Sequence, residues 1–222
     1  KGMVRAMYQG TGSFVPVDLP EPATRLISRN ADCVETVSGE VWCRWPVPTG
    51  GAPFGLGNVS LGEFTKLEPG RPVQSFVFNS SVSCFLDSEG LTYCAGHNGP
   101  GYFGLDPSVD EYRSTFELVP DVPSFVRLYV ARSTLCGSTE GGDVWCWGSN
   151  APWLVDPQVG FLLPPQLVGS FPGLQDFVMV EGRSCALLED GTAACTRLYD
   201  HPLGCAETDP EGWTIIDLAG CP

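Results

Sequence analysis

The cysteines of this chain recur in a fixed pattern that constrains its fold more than any other feature. Four segments consist of a cysteine, nine residues and a second cysteine, and their first cysteines are 51, 52 and 49 residues apart. The pairs are Cys33 with Cys43, Cys84 with Cys94, Cys136 with Cys146, and Cys185 with Cys195. A period near 50 residues indicates a repeat architecture, in which one supersecondary unit is stacked several times.

A glycine at a constant position predicts the shape of each segment. It stands four residues before the second cysteine, as Gly39, Gly90, Gly142 and Gly191. If the two cysteines oppose each other across antiparallel strands, the loop between the strands has three residues and the glycine is the third. That position of a three-residue hairpin loop is left-handed, a conformation that glycine adopts without strain. The spacing therefore predicts four hairpins, each closed by a disulfide.

Zinc binding is the competing explanation of paired cysteines. Zinc sites usually space their cysteines two to four residues apart, and both histidines, His97 and His201, are isolated in this sequence. We therefore expect disulfides, which persist in oxidising compartments, and predict an extracellular protein, secreted or on the cell surface. Cys205 and Cys221 remain, and we predict a bond between them.

The segments before the hairpins predict further strands. A proline-bearing stretch and a short apolar run precede each hairpin, at Pro22, Pro72, Pro123 and Pro172. A similar run at 213–218 leads to Cys221, and residues 1–7 resemble the second half of a unit. Recurring short strands of this kind are typical of an all-β array. We predict a β-propeller of about five blades, the last closed by the N-terminal strand, because closure leaves few exposed strand edges.

The whole chain, 1–222, is expected to form this one domain. The repeat units lie near 1–33, 34–84, 85–136, 137–185 and 186–222. The alternative is that the chain is a segment excised from a longer propeller.

The composition argues against several classes of partner. The 222 residues are 43% hydrophobic, enough for a sizeable core, and 12 Lys and Arg stand against 26 Asp and Glu. A net charge of −14 repels phosphate backbones, so we expect no nucleic-acid partner. No run of 18 apolar residues occurs, so direct membrane insertion is not expected.

Three segments carry a family resemblance. Residues 142–150, 90–98 and 184–191 resemble repeats of the regulator of chromosome condensation superfamily, and 54–57 and 101–105 stand where such repeats have a Gly-x-Leu-Gly turn. They are most similar to the cysteine-bearing extracellular version in plant crinkly-type receptor kinase ectodomains. The resemblance implies a β-propeller, typically of seven blades. This chain has about five units, and only one keeps the tryptophan–glycine signature. The nuclear exchange-factor role of the founding member is not implied.

No catalytic, cofactor or metal site is predicted. His97 and His201 lie in loops rich in glycine and proline, and no nucleophile or phosphate-loop motif accompanies them. The carboxylates of residues 106–111 lack the ligand spacing of a calcium loop. We therefore expect that the protein is not an enzyme.

The aromatic residues divide into two groups. Trp42, Tyr93 and Trp145 each precede the second cysteine of a unit, so they lie on the strand face opposite the disulfides and are expected to pack between blades. A second, less regular group predicts an exposed aromatic cluster that binds a protein or stacks on a sugar. Its members are Trp45, Tyr102, Phe103, Trp147 and Trp153.

Two sequons are candidate N-glycosylation sites in a eukaryotic secreted protein. Asn58 begins one in a glycine-rich loop, and Asn79 begins the other directly after an apolar strand.

These observations predict a non-enzymatic extracellular module. Its partner is expected to be a protein that binds a loop face, and its role to be interaction or structure within a cell-surface assembly or receptor. The alternatives are a carbohydrate-binding, lectin-like propeller with a glycan as partner, or a secreted propeller-type enzyme inhibitor.

Overall fold

The computed structural model consists of β-strands and their connections in the residues that it describes. These residues are 5–7, 14–16, 18–26, 32–44, 64–67, 69–79, 81–149, 160–180, 183–196, 206–208 and 213–217. Among them, no helix is long and apolar enough to cross a membrane.

Most of the strands form four antiparallel sheets, which are the blades of a propeller. Blade 1 contains β3 (Ala23–Leu26), β4 (Asp32–Thr36), β5 (Val41–Arg44) and β6 (Thr65–Lys66). Blade 2 contains β7 (Ser75–Phe78), β8 (Val82–Leu86), β9 (Thr92–His97) and β10 (Tyr112–Leu118). Blade 3 contains β11 (Arg127–Val130), β12 (Thr134–Ser138), β13 (Asp143–Ser149) and β14 (Phe161–Ser170).

Blade 4 has five strands. They are β15 (Leu174–Val180), β16 (Arg183–Leu188), β17 (Thr192–Thr196), β18 (Ala206–Thr208) and β19 (Trp213–Asp217), and β19 lies between β17 and β18. A separate two-stranded sheet joins β1 (Arg5–Met7) to β2 (Phe14–Pro16). The first strand of blade 3, β11, contacts the first strands of blades 2 and 4. The first strands therefore lie nearest the propeller axis.

The four predicted hairpins are present, each closed by a disulfide. The cysteines of every pair oppose each other in the strand register, and their Cα atoms are 4.1–4.2 Å apart. The four glycines have φ between 78° and 87°, as the three-residue loop requires. Cys205 and Cys221 lie outside the described residues, so the bond predicted between them stays a prediction.

The hydrophobic core lies between successive blades. The disulfide of blade 1 packs against Phe76, Phe85 and Tyr93 of blade 2. The disulfides of blades 2 and 3 pack in the same way against the following blade. Tyr93 therefore lies between blades, as predicted. At the equivalent positions, Trp145 packs against the core between blades 2 and 3, and Trp42 is half-buried and donates a hydrogen bond to Glu40.

The prediction of a fifth blade closed by the N-terminal strand differs from the observed topology. The strand Trp213–Asp217 pairs with β17 as part of blade 4, and Arg5–Met7 pairs with Phe14–Pro16. An apolar strand after a hairpin can either begin a new sheet or extend the previous one, and both continue an antiparallel pattern. The strand pairing decides between them, and in the described residues it produces four blades.

The hairpin glycines generate a matched prediction on stability. An added Cβ at Gly142 would overlap the carbonyl oxygen of Phe171, whereas at Gly191 it would meet nothing within 4 Å. Both residues have positive φ. Gly191→Ala is expected to lower the free energy of unfolding by about 1–2 kcal/mol through backbone strain alone. Gly142→Ala adds a clash with backbone, worth about a further 1–3 kcal/mol. Denaturant unfolding measures the free energy of unfolding of both variants. Equal losses of stability would contradict the packing of the Gly142 hairpin on the link between blades 3 and 4.

Candidate interaction faces of the propeller

The strand order of the blades creates two unlike ends. The second and third strands of each blade meet in the glycine hairpin at one end, which we call the hairpin face (residues 37–40, 87–91, 139–142 and 189–191). The third and fourth strands are joined at the opposite end. There the loop face includes 98–111 and the turns around Asn79 and at 131–133.

The loop 98–111 is held in a fixed conformation by its own aromatic residues. Tyr102 and Phe103 are fully buried, and the indole nitrogen of Trp147 donates a 2.7 Å hydrogen bond to the Tyr102 carbonyl. The Asn98 side chain closes the loop, because its oxygen accepts from the Phe103 amide at 2.8 Å and its nitrogen donates to a carbonyl further along the loop. The guanidinium of Arg113 lies 4.2 Å from the Phe103 ring centroid.

The predicted exposed aromatic cluster is wrong for its described members. Tyr102, Phe103 and Trp147 are buried in the core between blades 2 and 3. The Trp147 ring stacks on Phe125, with centroids 6.0 Å apart. Trp147 is two residues after Trp145 and so shares its strand face, a periodicity that would have placed it in the core. Trp45 and Trp153 lie outside the described residues.

Asn79 has a structural environment that a glycan does not fit. Its side chain is 7% exposed, and its amide nitrogen donates to the Tyr102 hydroxyl at 2.8 Å and to the Ala131 carbonyl at 3.1 Å. Its oxygen accepts from the amides of Ser81 and Val82. A glycan on that nitrogen would displace these partners and open the core, so the prediction of a sugar at Asn79 is corrected. Asn58 lies outside the described residues and stays a prediction.

The Tyr102 hydroxyl connects blades 2 and 3. It accepts from Asn79 and donates to the Arg132 carbonyl at 2.5 Å. Burial raises the pKa of Tyr102 to about 12, although the hydrogen bond from Asn79 acts in the opposite direction.

The hairpin face carries exposed carboxylates, and the Lys and Arg side chains near it already form ion pairs. Four Lys and Arg side chains near it pair with carboxylates: Arg25 with Glu35, Lys66 with Glu40, Arg71 with Asp87, and Arg127 with Asp176. Four exposed carboxylates form no ion pair with a described residue: Glu89, Glu140, Glu189 and Asp190. Hydrogen bonds from the Thr192 side chain and backbone lower the pKa of Asp190. The face therefore has an excess of negative charge.

The candidate ligands of a metal ion do not converge in the described residues, where no group of three or more His, Cys, Asp or Glu could hold one. Of the two histidines, His97 is exposed, and its ring centroid lies 5.2 Å from that of Tyr112. His201 is outside the described residues.

Comparison with solved structures identifies the fold. The chain superposes on human WBSCR16 with a TM-score of 0.64 and 14% sequence identity, covering 86% of this chain and 52% of that one. A chain in the structure of Kap60 bound to yeast RCC1 (Prp20) gives a TM-score of 0.57, 18% identity and coverage of 82% and 44%. The fold is an RCC1-like β-propeller. Prp20p from Saccharomyces cerevisiae matches similarly, with a TM-score of 0.57, 17% identity and coverage of 82% and 46%.

The RCC1-like propeller of this chain spans about half the length of those structures. No protein-family model and no curated protein matches the sequence.

The Tyr102 network generates a prediction with a pH signature. Tyr102→Phe removes the hydroxyl between Asn79 and Arg132, so it is expected to lower the free energy of unfolding by about 1–2 kcal/mol at neutral pH. Because the folded pKa of Tyr102 lies above its ordinary value of 10.0, the hydroxyl contributes stability below pH 10.0 that is lost as the pH rises through about 12.

Denaturant unfolding between pH 8 and pH 12 measures this contribution. The difference between the parent protein and the Phe variant should shrink at the alkaline end. Tyr112→Phe is the control, because that side chain is 46% exposed. An equal effect of the two substitutions would contradict a role for the buried hydroxyl.

Proposed function

We propose that this chain is a non-enzymatic extracellular protein-binding module that recognises a partner with a basic surface through its hairpin face. The sequence predicts a partner on the loop face, and that stays a prediction. The observation that carries the proposal of the hairpin face is the charge of that face. Glu89, Glu140 and Glu189 are exposed at the tips of three successive blades, whereas the neighbouring cations are already paired. Such a field steers a partner of opposite charge and fixes its orientation.

The rigidity of the tips supports a binding role. Each tip lies within a disulfide-closed hairpin, and the link to the following blade packs on two of them, where the Phe125 and Phe171 amides donate 2.9 Å hydrogen bonds to the carbonyls of Gly90 and Gly142. Side chains on a preorganised frame lose less entropy when a partner binds. The backbone of the tips that carry these carboxylates is therefore held in place before any partner arrives.

Two further observations support the location and the class of partner. Four disulfides are the expected state of cysteines in an oxidising compartment and are rare in the cytosol. Among proteins of similar fold, RCC1 (Prp20) has been seen bound to Kap60, and Prp20p has been characterised for binding to Gsp1p and histones. Those partners belong to those proteins, and they illustrate protein binding by this fold.

The burial of Tyr102, Phe103 and Trp147 removes them as contacts for a partner of either class, because the cluster was expected to bind a protein or to stack on a sugar. The proposal of a protein partner therefore depends on the charge of the hairpin face, and a glycan remains the alternative.

Neutralising two hairpin tips tests the proposal. Glu89→Gln combined with Glu140→Gln is expected to weaken binding of a lysine-rich peptide about two- to thirtyfold at low salt, because each of the two exposed pairs contributes about 0.2–1 kcal/mol. The difference should fade as salt is added. Asp106→Asn with Glu111→Gln changes the net charge equally on the loop face and is the control. Isothermal titration calorimetry gives the affinities, and equal weakening by both double variants would refute recognition by the hairpin face.

The cysteine state tests the proposed compartment. Protein isolated without reductant from its native source should resist alkylation at the eight cysteines of the four hairpins and react after reduction. Mass spectrometry of the alkylated peptides reads this out. Free thiols at these positions would place the protein in a reducing compartment.

A further inference from the structure

The loop 98–111 begins with an asparagine that is followed directly by a glycine, Asn98-Gly99. In this pair, the backbone nitrogen of the glycine can attack the side-chain amide of the asparagine and expel ammonia. Glycine has no side chain to hinder the approach, so the reaction is faster before glycine than before other residues. A pair that is able to modify itself therefore opens the loop that packs between blades 2 and 3.

The conformation of the loop does not require the glycine of this pair. Gly101 and Gly104 have φ of 88° and 72°, and an added Cβ at either would lie 3.0–3.1 Å from a side chain of β14. Gly99 is not among the residues with positive φ, and an added Cβ there would meet nothing within 4 Å. The backbone of the loop depends on the two later glycines, whereas Gly99 makes Asn98 reactive.

Two hydrogen bonds of the Asn98 side chain, which we call the Asn98 clamp, oppose the reaction in the folded protein. The side-chain oxygen accepts from the Phe103 amide at 2.8 Å, and the side-chain nitrogen donates to the Leu105 carbonyl at 3.1 Å. Ring closure would turn the side chain away from both partners. It also needs a base for the Gly99 proton and an acid for the departing ammonia, and water supplies neither to a residue that is 0% exposed. The reaction is therefore suppressed while the loop is closed.

The product of the reaction does not fit the closed loop. A carboxylate accepts hydrogen bonds and cannot donate one, so it would repel the Leu105 carbonyl to which the amide now donates. A buried charge that lacks part of its hydrogen bonding is strongly destabilising. Isoaspartate, the second product, continues the chain through the former side chain and so removes the group that forms the clamp. Both products favour the open loop.

We propose that Asn98 is a self-deamidation site that records opening of the loop 98–111. When the loop opens, the Gly99 nitrogen bonds to the side-chain carbonyl carbon of Asn98. The bond from that carbon to the amide nitrogen breaks, and ammonia leaves with the proton of the Gly99 nitrogen. Water then opens the cyclic imide to aspartate or isoaspartate.

The modification converts a transient opening into a permanent one. Loops open locally at a lower free energy than the whole protein unfolds, so the reaction samples these openings over time. Once the clamp is lost, the Tyr102 hydroxyl no longer joins Asn79 to Arg132 across blades 2 and 3. Tyr102 and Phe103 then become accessible to proteases, which cleave opened loops most readily. A copy whose loop has opened is thereby marked for removal.

The rate of deamidation in folded and unfolded protein tests the gate. Peptide mass spectrometry after incubation at mildly alkaline pH measures conversion at Asn98. The folded protein is expected to convert about tenfold or more slowly than the same protein reduced and held in denaturant, because only the open fraction reacts. Equal rates would overturn the gate. Gly99→Ala is the matched control, and in denaturant it should convert far more slowly than the parent. Conversion as fast as in the parent would show that the pair is not the source of the reactivity.

Two substitutions in the core distinguish opening of this loop from a general loss of stability. Trp147→Phe removes the hydrogen bond from the indole nitrogen to the Tyr102 carbonyl, so it is expected to speed conversion at Asn98 several-fold in the folded protein. Phe177→Leu acts at the junction between blades 3 and 4 and should have a smaller effect. Equal acceleration by both would show that the whole protein must unfold, which would overturn gating by the loop.

Limited proteolysis tests the consequence of the modification. Asn98→Asp reproduces one product, and a protease that cleaves after aromatic residues is expected to cut it at Tyr102 or Phe103 at least tenfold faster than the parent. Val109→Asp adds the same charge at a 76% exposed position of the loop and should stay resistant. If Asn98→Asp does not fold, the deamidated fraction of incubated parent protein gives the same readout. Resistance equal to the parent would overturn the permanent opening. None of these results bears on binding of a basic peptide by the hairpin face.

Discussion

Packing of a disulfide-bearing sheet face on the apolar face of the next blade holds this propeller together. A single antiparallel blade cannot bury its own hydrophobic side chains, so each depends on its neighbours. The cysteines contribute twice, because the bond closes the hairpin and the sulfur atoms are themselves core, with Cys84 and Cys94 fully buried. Aromatic side chains such as Phe85, Tyr93 and Trp147 fill the space across from them.

Both ends of the propeller depend on this frame. At the hairpin end, the disulfides and the links between blades hold the backbone of the acidic tips in place. At the loop end, Tyr102 and Phe103 insert between blades and carry the loop 98–111 with them. The positions of the acidic hairpin tips and of the loop 98–111 at the surface therefore depend on contacts in the interior.

The hairpins were predictable from sequence and the aromatic cluster was not. The cysteines of each pair are ten residues apart, and the glycine lies in the three-residue loop between the two strands. Contacts within a single hairpin therefore decide its structure. Trp147 is the exception, because its alternation with Trp145 along the strand predicts a place in the core. Burial of Tyr102 and Phe103 depends on the insertion of the loop 98–111 between blades 2 and 3. Asn79 matched a glycosylation sequon, but its side-chain nitrogen donates hydrogen bonds to the Tyr102 hydroxyl and the Ala131 carbonyl. Those residues lie in other parts of the chain.

By itself the sequence determined the all-β class, the four disulfide hairpins, their register and the negative charge, because each depends on composition or on contacts within about ten residues. Only the tertiary structure decided that Trp213–Asp217 extends blade 4 and that Tyr102 joins two blades. These outcomes depend on which strand pairs with which and on which face meets which. Residues far apart in the chain compete for such contacts, and a short apolar strand fits several of them equally well.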